Sequence, residues 1–522
     1  MLVTSTAKHS VDTAWGAFPS PGGWDLGPDP HSLFVDTEEL RASCSVEVGE
    51  WLKPRLLPPT RSFIVLLRLA IVLGRHKLSR RADRGDRLAA ELVRTFSKLG
   101  PTFVKLAQII SAGEGIFPDS LVSQCRTLLD KAPAADFSEV HKTLSEELGE
   151  NYMQYFVSLD KTPVAAASIA QVHKGTLISG ATVAVKVQRR DIKKLVEKDV
   201  KALSWIANKA VGRLPIAALA NPPALVALFA STISEELDFR IEASASVEVA
   251  ASLRGANHEV LKVPRARVEL TTKRVLVSEF VEGETLSGDG LNVSHQTGVE
   301  MVSALLTCLL EGALLSGVFH GDLHGGNLIV NPSGSVYLLD FGITARFTAD
   351  ERLHFARLVT GGMSGDWRSQ VRALVGLNAL PADVDVEFLG RELGLDRQLD
   401  VGSLEADELA RELQNLSRTL LSSGARLPTQ LMLWAKNLAF LDRTIGILAP
   451  EVDMITLLTK VASNFLQGNA AELLPLVGGE VTLSVEAVKS SMGVGAHVEK
   501  MSWREMAERR NLIAARAKKV VQ

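Results

Sequence analysis

One stretch constrains this chain more than any other. Residues 319–330 read FHGDLHGGNLIV, and a few residues later the chain reads YLLDFGIT. His320, Asp322, His324 and Asn327 crowd one tight turn between apolar runs. Polar groups this dense are costly to bury without partners, so they either satisfy one another in a loop or hold something highly charged. Gly325 and Gly326 let the chain turn sharply there. After Asn327, LIVNPSGSVYLLD reads as a hairpin turning at NPSG, which returns the chain and delivers Asp340 beside Asn327.

The chemistry that needs this arrangement is phosphoryl transfer. Asp322 precedes Asn327 by five residues, the spacing of the protein-kinase catalytic loop H-R-D-x-x-x-x-N. One carboxylate must face the nucleophile and accept or orient its proton. An amide oxygen must face the other way and hold a metal ion on the nucleotide phosphates. Asp340-Phe341-Gly342 is the DFG triplet, whose Asp binds Mg²⁺. Asn327 and Asp340, with waters and phosphate oxygens, suit a hard octahedral Mg²⁺ site. His320 is expected to be a structural histidine tied to loop backbone. For His324 a structural and a catalytic role both stand.

Such a site also needs a lysine on a strand and an acid to grip it. VAVKVQ offers Lys186 within an apolar strand, where an unpaired ammonium would be expensive. The partner is expected from EELDFRIEA, where Glu235, Glu236, Asp238 and Glu242 are all candidates. Glu235, Asp238 and Glu242 stand three and four residues apart, so one helical face would carry them. A glycine-rich loop is missing before Lys186. The chain reads PVAAASIAQVH instead, with Ala165, Ala166, Ala167 and Ser168 where the phosphates would be covered. Alanine carries a Cβ, so this loop cannot approach phosphates as glycine does.

At 522 residues the chain is too long for one ordinary core, and two or more lobes are expected. Residues 1–40, rich in Pro and Gly clusters, read as a mobile arm, and residues 41–145 as a helical extension with breaks at Pro101, Pro118 and Pro133. Residues 146–283 form a β-rich lobe. In it IAQVHKGTLI and TVAVKVQ make a hairpin, long helices run over DIKKLVEKDVKALSWIANKAV and LVALFASTISEELDFRIEASASVEVAASL, and VPRARVEL and RVLVSEFVEG are two further strands. Residues 284–475 form a mainly helical lobe, entered by a helix from about Val299 to Leu315, and 476–522 a C-terminal tail. A net charge of −3 gives no global pull toward nucleic acid. Cys44, Cys125 and Cys308 are scattered and odd in number, which points to a reducing compartment rather than a disulfide framework. Neither a secretory leader nor a membrane-spanning run is expected, so the reading is cytoplasmic or peripheral to a membrane.

These motifs resemble the UbiB family of atypical kinases, also called the AarF-domain or activator-of-bc-complex family. The resemblance covers most of residues 95–460: KLGPTFVKLAQIIS is similar to the family's K-x-G-Q helix, AAASIAQVH to its alanine-rich loop, and EELDFRIEA to its E-x-D segment, with VAVKVQ, HGDLHGGN and DFG in order. It implies an α+β, two-lobed protein-kinase-like fold with a helical N-terminal extension that folds over the site where a protein substrate would dock. It implies that Lys105 and Gln108 reach the nucleotide site, that Glu236 and Asp238 are the E-x-D pair, and that Glu242 is the acid after it. It further implies ATP or ADP with Mg²⁺ as ligands, a small-molecule kinase or ATPase activity, and a role in isoprenoid quinone or lipid metabolism. Ala107, Ala170 and Gly325 depart from the family's usual glycine, glycine and proline. None of the three removes a charged group. The alternatives are a small-molecule phosphotransferase of the aminoglycoside or choline kinase type and a non-catalytic scaffold.

Two segments raise the expectation of contact with an anionic membrane surface. FIVLLRLAIVLG, from Phe63, is followed by Arg75, Lys77, Arg80, Arg81, Arg84 and Arg87, opposed only by Asp83 and Asp86. Near the C-terminus, Ser502 and Glu505 form a capping-box pattern before a helix that ends on Arg516, Lys518 and Lys519.

Overall fold

The computed structural model describes residues 37–53, 61–78, 84–111, 119–125, 133–210, 222–253, 260–286, 293–392, 425, 428–479 and 481–521. Residues 1–36, most of the stretch read as an arm, lie outside them. The first described helix, Thr37–Trp51, begins inside that stretch, so the helical extension starts earlier than its sequence suggested.

The small lobe is built on one antiparallel sheet. Strands β1 (Phe156–Leu159) and β2 (Ala165–Ala166) pair with β3 (Ala170–Leu177), which pairs with β4 (Thr182–Gln188). The strand Val275–Glu279 closes the far side against β4. Side chains on a strand alternate between faces. Val183, Val185 and Val187 therefore enter a dry layer with Val140, Leu144, Tyr152 and Phe156, and Lys186 points to the opposite face. The expected hairpin is thus present. VPRARVEL, by contrast, is not a strand of this sheet. Leu261–Lys262 (β5) joins a different sheet, Ala266 makes a single bridge to Ser278, and Val268–Leu270 is a 3₁₀ turn. Arg267 N donates to Val277 O and Glu279 N to Arg265 O around that one bridge, and Pro264, without an N–H, cannot extend it.

The long helical stretch after Pro222 is also two helices, Pro222–Glu236 and Phe239–Ser252. Asp238 is the N-cap of the second, its side chain accepting from Arg240 N at 3.2 Å. An Asp that caps a helix breaks the run before it. Glu235, Asp238 and Glu242 consequently share no helical face, contrary to the spacing argument.

The extension packs on the back of this lobe. Its helices Arg61–Leu78, Arg84–Leu99 and Pro101–Ser111 share a core with Ile192–Ala210 and Pro222–Glu236, centred on Phe96, Phe103, Val196, Phe229 and Ile233. Arg61 Nε fixes the entry by pairing with buried Asp199 at 2.7 Å. Pro101 opens its helix at the position where a missing N–H costs nothing.

In the large lobe, the helix His295–Glu311 runs through a wide turn, Gly312–Ser316, into the strand Val318–His320. His295–Ser316 is long and apolar enough to cross a membrane, but 72% of that apolar window is buried, and it forms the centre of the lobe's core. Strands Leu328–Val330 and Val336–Leu338 form the expected hairpin, flanked by β5 and by Glu284–Thr285. Thr344–Arg346 then returns against Val318–His320. The helix Thr429–Leu448 lies beside this unit. The described residues of the C-terminal segment 476–522 pack on this lobe. Ser484 N donates to Met363 O, and Val494, Met501 and Met506 belong to the lobe's core. The Ser502–Glu505 capping box is formed reciprocally before the helix Trp503–Val521. The side chains of Arg516, Lys518 and Lys519 lie outside the described residues.

Candidate functional site

Lys186 projects from β4 toward the large lobe and finds Glu242 on the helix Phe239–Ser252, at 2.7 and 2.9 Å. Its ammonium lies 3.7 Å from Asp340 Oδ1 and 5.2 Å from the Phe239 ring centroid. Burial works against the charge on Lys186, but Asp340, Glu242 and Glu236 together outweigh it, and its pKa is raised above the ordinary value. Lys186 in turn holds Asp340 well below the usual carboxylate range. One acid of EELDFRIEA therefore answers the lysine. Glu236 answers another: Lys105, from the helix Pro101–Ser111, reaches it at 2.8 Å. Gln108 is half-buried on the same helix.

Asp238 is not brought into this cluster. It is 1% exposed, its carboxylate taken by Arg240 at 2.9 and 2.7 Å, with Lys273 at 3.9 Å. Glu235 pairs with Arg41 at 3.4 Å. An Asp in an E-x-D spacing that also precedes a helix is drawn to the cap, and that signal was readable in the sequence.

The DFG turn closes on the same acids. Asp340 has φ +58°, in the left-handed region. A non-glycine residue held there stores backbone strain that its surroundings must over-determine. A Cβ on Gly342 would stand 3.3 Å from Asp340 Oδ1 and 3.5 Å from Glu236 Cγ, so the turn rests against Glu236.

The polar turn itself is wired to backbone. His320 Nε2 donates to Leu339 O at 2.9 Å, and its Nδ1 accepts from Asp322 N at 3.0 Å. Burial lowers its pKa and keeps the ring neutral, as this bonding requires. His320 is the structural histidine expected. His324 Nδ1 accepts from Gly326 N at 2.9 Å, so this ring also supports the loop. Asn327 donates from Nδ2 to Asp322 O at 3.0 Å, which directs its amide oxygen elsewhere.

Two residues of the site were not found by sequence reasoning. Lys436 and Asn437, on Thr429–Leu448, meet the turn from the far side. Lys436 Nζ lies 2.9 Å from Asp322 Oδ1. Asn437, fully buried, accepts from Leu323 N at 3.0 Å and donates to His320 O. Burial pushes the Asp322 carboxyl up, while the Lys436 ammonium beside it outweighs burial and leaves the pKa below its ordinary value. An Asn inside the apolar run LMLWAKNLAF is a signal in itself, because a buried amide must have partners.

The alanine-rich loop is a strand and a turn. Ala165 and Ala166 pair with Val172 and Gln171, Ala167 N donates to Ala170 O at 2.8 Å, and Arg189 Nε donates to Ala167 O at 3.1 Å. Ser168 is buried. The loop is thus tied to the sheet along its length.

The donor set fits a hard divalent ion. Asp340 supplies a carboxylate, and Asn327, its NH₂ engaged elsewhere, supplies an amide oxygen. Among the described residues no group of three or more His, Cys, Asp or Glu could hold a metal unaided. An ion here must bring phosphate and water ligands, which is how Mg²⁺ binds with nucleotides.

The ABC1 atypical kinase-like domain model matches residues 127–374. An uncharacterized protein of Mycobacterium tuberculosis, Rv0647c, is 35% identical over 406 residues, covering 75% of this chain and 81% of its own length. The probable protein kinase UbiB of Aliivibrio fischeri is 28% identical over 377 residues, covering 71% and 68% respectively. The solved structure of an Rv3197–erythromycin complex from M. tuberculosis is 21% identical and covers 62% of this chain and 89% of its own, with a TM-score of 0.41, a likeness too loose to argue from. The two-lobed kinase-like fold, the motif order and a relative 35% identical across most of both chains lead to one conclusion: the chain belongs to the ABC1 atypical kinase-like family.

Proposed function

We propose that the protein binds Mg·ATP or Mg·ADP and carries out phosphoryl chemistry as an atypical kinase or ATPase. The observation that carries this reading is the Lys186–Glu242 pair standing 3.7 Å from Asp340, with Asn327 bonded to the loop of Asp322. Lys186 meets the nucleotide phosphates as a fixed cation. Asp322 faces the acceptor and orients its hydroxyl or a water. Asn327 and Asp340 hold the ion, and Mg²⁺ bound there supplies charge neutralisation to the phosphate oxygens. Glu236 and Lys105 buttress the DFG turn, and Ala165, Ala166, Ala167 and Ser168 roof the phosphates without closing on them. Asp238 acts as a helix cap. The acceptor we infer is a small hydroxyl compound, lipid or isoprenoid, in support of quinone or lipid metabolism, a reading that rests on the family resemblance.

Nucleotide titration with and without Mg²⁺ tests it. Wild type is expected to bind ATP more tightly with Mg²⁺, and Asp340→Asn to lose that dependence. Equal affinities with and without the ion, in both proteins, would sink the reading.

A second proposal concerns peripheral contact with an anionic membrane. Phe63, Ile64, Leu67 and Ile71 are 62%, 41%, 47% and 44% exposed on one helix of the extension, an apolar face open to solvent. Of the basic cluster after it, Arg87 is exposed, while the side chains of Arg75, Lys77, Arg80, Arg81 and Arg84 lie outside the described residues. Flotation with anionic vesicles should carry the protein at low salt and release it at high salt. Protein that stays in the soluble fraction throughout would refute it.

A further inference from the structure

We propose that Lys436 is a positioning residue for the reaction, aiming the Asp322 carboxylate at the acceptor from a helix outside the matched kinase-like region. The proposal rests on the phosphoryl-transfer reading above. The helix Thr429–Leu448 begins more than fifty residues beyond the matched domain, which ends at 374. It nonetheless supplies both groups that grip the HGD turn from behind.

Consecutive helical side chains project about 100° apart. Asn437 uses its direction to take the backbone on both sides of Gly321-Asp322, through Leu323 N and His320 O. Lys436 uses the other to take the side chain, at Oδ1; in this proposal the second carboxylate oxygen, Oδ2, faces the acceptor. The pair is largely withdrawn from water, with side-chain exposures of 13% and 21%. The ammonium is steadied by the Phe440 ring at 5.5 Å, and the His324 ring meets Phe440 edge-on at 6.0 Å. The helix is itself fixed. Leu441 and Ile445 lie in the lobe's core, and Asp442 is held by Trp503 Nε1 at 3.0 Å and Arg510 at 2.8 Å. The carboxylate is therefore not free to choose its rotamer.

A bound ammonium also weakens a carboxylate as a base, so the gain cannot lie in basicity. It lies in orientation. In a loose phosphoryl-transfer transition state the acceptor proton is lost late and the acceptor must be held in line. The acceptor oxygen forms its bond to the γ-phosphorus as the bond from phosphorus to the bridging oxygen of ADP breaks, and the acceptor proton passes to Asp322 Oδ2. A misdirected Oδ2 costs rate without costing nucleotide affinity.

The test is a double-mutant cycle on the full chain, with kcat, KM for ATP and Mg·nucleotide affinity read separately. Lys436→Met is expected to lower kcat by about 10²-fold, with affinity and KM within about twofold of wild type. Lys436→Arg should recover most of the loss. In an Asp322→Asn background, Lys436→Met should cost nothing further, since its effect runs through Asp322. Unchanged kcat in Lys436→Met would overturn the proposal. So would the same fold-loss in both backgrounds, or joint loss of binding and folding that Lys436→Arg does not restore. Wild type that binds Mg·ATP but never turns it over would instead overturn the underlying phosphoryl-transfer reading.

Discussion

Lys186 and Asp322 are the two poles of the site, and they are held in opposite ways. Lys186 is gripped from within its own lobe, by Glu242, with Asp340 beyond it. Asp322 is gripped by Lys436 and Asn437, whose helix follows the turn by about a hundred residues. The first grip pairs recognisable motifs with one another. The second pairs a motif with a helix that carries none. The difference teaches that the Lys186 ammonium is positioned by charge, whereas the Asp322 carboxylate is positioned by backbone capture of its turn plus one ion pair. A buried ammonium offsets its desolvation only when close countercharges surround it, as Glu242 and Asp340 surround Lys186. A loop with several polar groups needs each one satisfied.

The sharpest way to break this comparison is to remove each pole in turn. Asp322→Asn is expected to cut turnover by about 10²–10⁴-fold while nucleotide affinity holds. Lys186→Met should act mainly on affinity, because it removes the cation proposed to meet the phosphates and leaves Glu242 without its ion-pair partner. Turnover and isothermal titration on both variants decide it. If Asp322→Asn loses binding to the same degree as Lys186→Met, the poles are not separate and the division of labour fails.

A smaller effect sharpens the Asp322 side. Asn437→Ala leaves Leu323 N and His320 O without their buried partner, at about 1–3 kcal/mol each. Chemical denaturation is expected to show a loss of about 2–6 kcal/mol with an unchanged slope. A loss below about 1 kcal/mol would mean that water satisfies these groups and that the helix does not clamp the turn.

This asymmetry also explains what was legible in the sequence. HGDLHGGN, the NPSG hairpin and DFG could be placed because each carries its function in local spacing. Lys186 could be placed because an ammonium in an apolar strand demands an acid, and EELDFRIEA was the acidic cluster at hand. Periodicity alone could not choose among its four acids. The choice depends on Asp238 breaking the helix, which turns Glu236 toward Lys105 and Glu242 toward Lys186. Lys436 was hidden for a different reason. A lysine on an amphipathic helix ordinarily extends its stem along the surface and leaves its charge in water. Only the packing of Thr429–Leu448 against the turn shows otherwise. The packing of the C-terminal tail was not legible because its anchors, Val494, Met501, Trp503 and Met506, are single apolar residues between polar ones.

The smallest expected effect concerns the roof between the poles. Ala165 and Ala166 are paired with β3, and the carbonyl of Ala167 is held by Arg189. A glycine at any of these positions removes a Cβ and adds backbone freedom, at about 0.5–1 kcal/mol of strand stability. The freed loop could then descend onto the phosphates, where its N–H groups would become donors. Ala165→Gly, Ala166→Gly and Ala167→Gly are each expected to shift ATP affinity by up to about tenfold, or about 1.4 kcal/mol. Ala167→Gly should shift it least, because Arg189 still restrains the carbonyl. Three ATP titrations superimposing on wild type would mean that the sheet pairing, and not the alanine Cβ, keeps the roof raised.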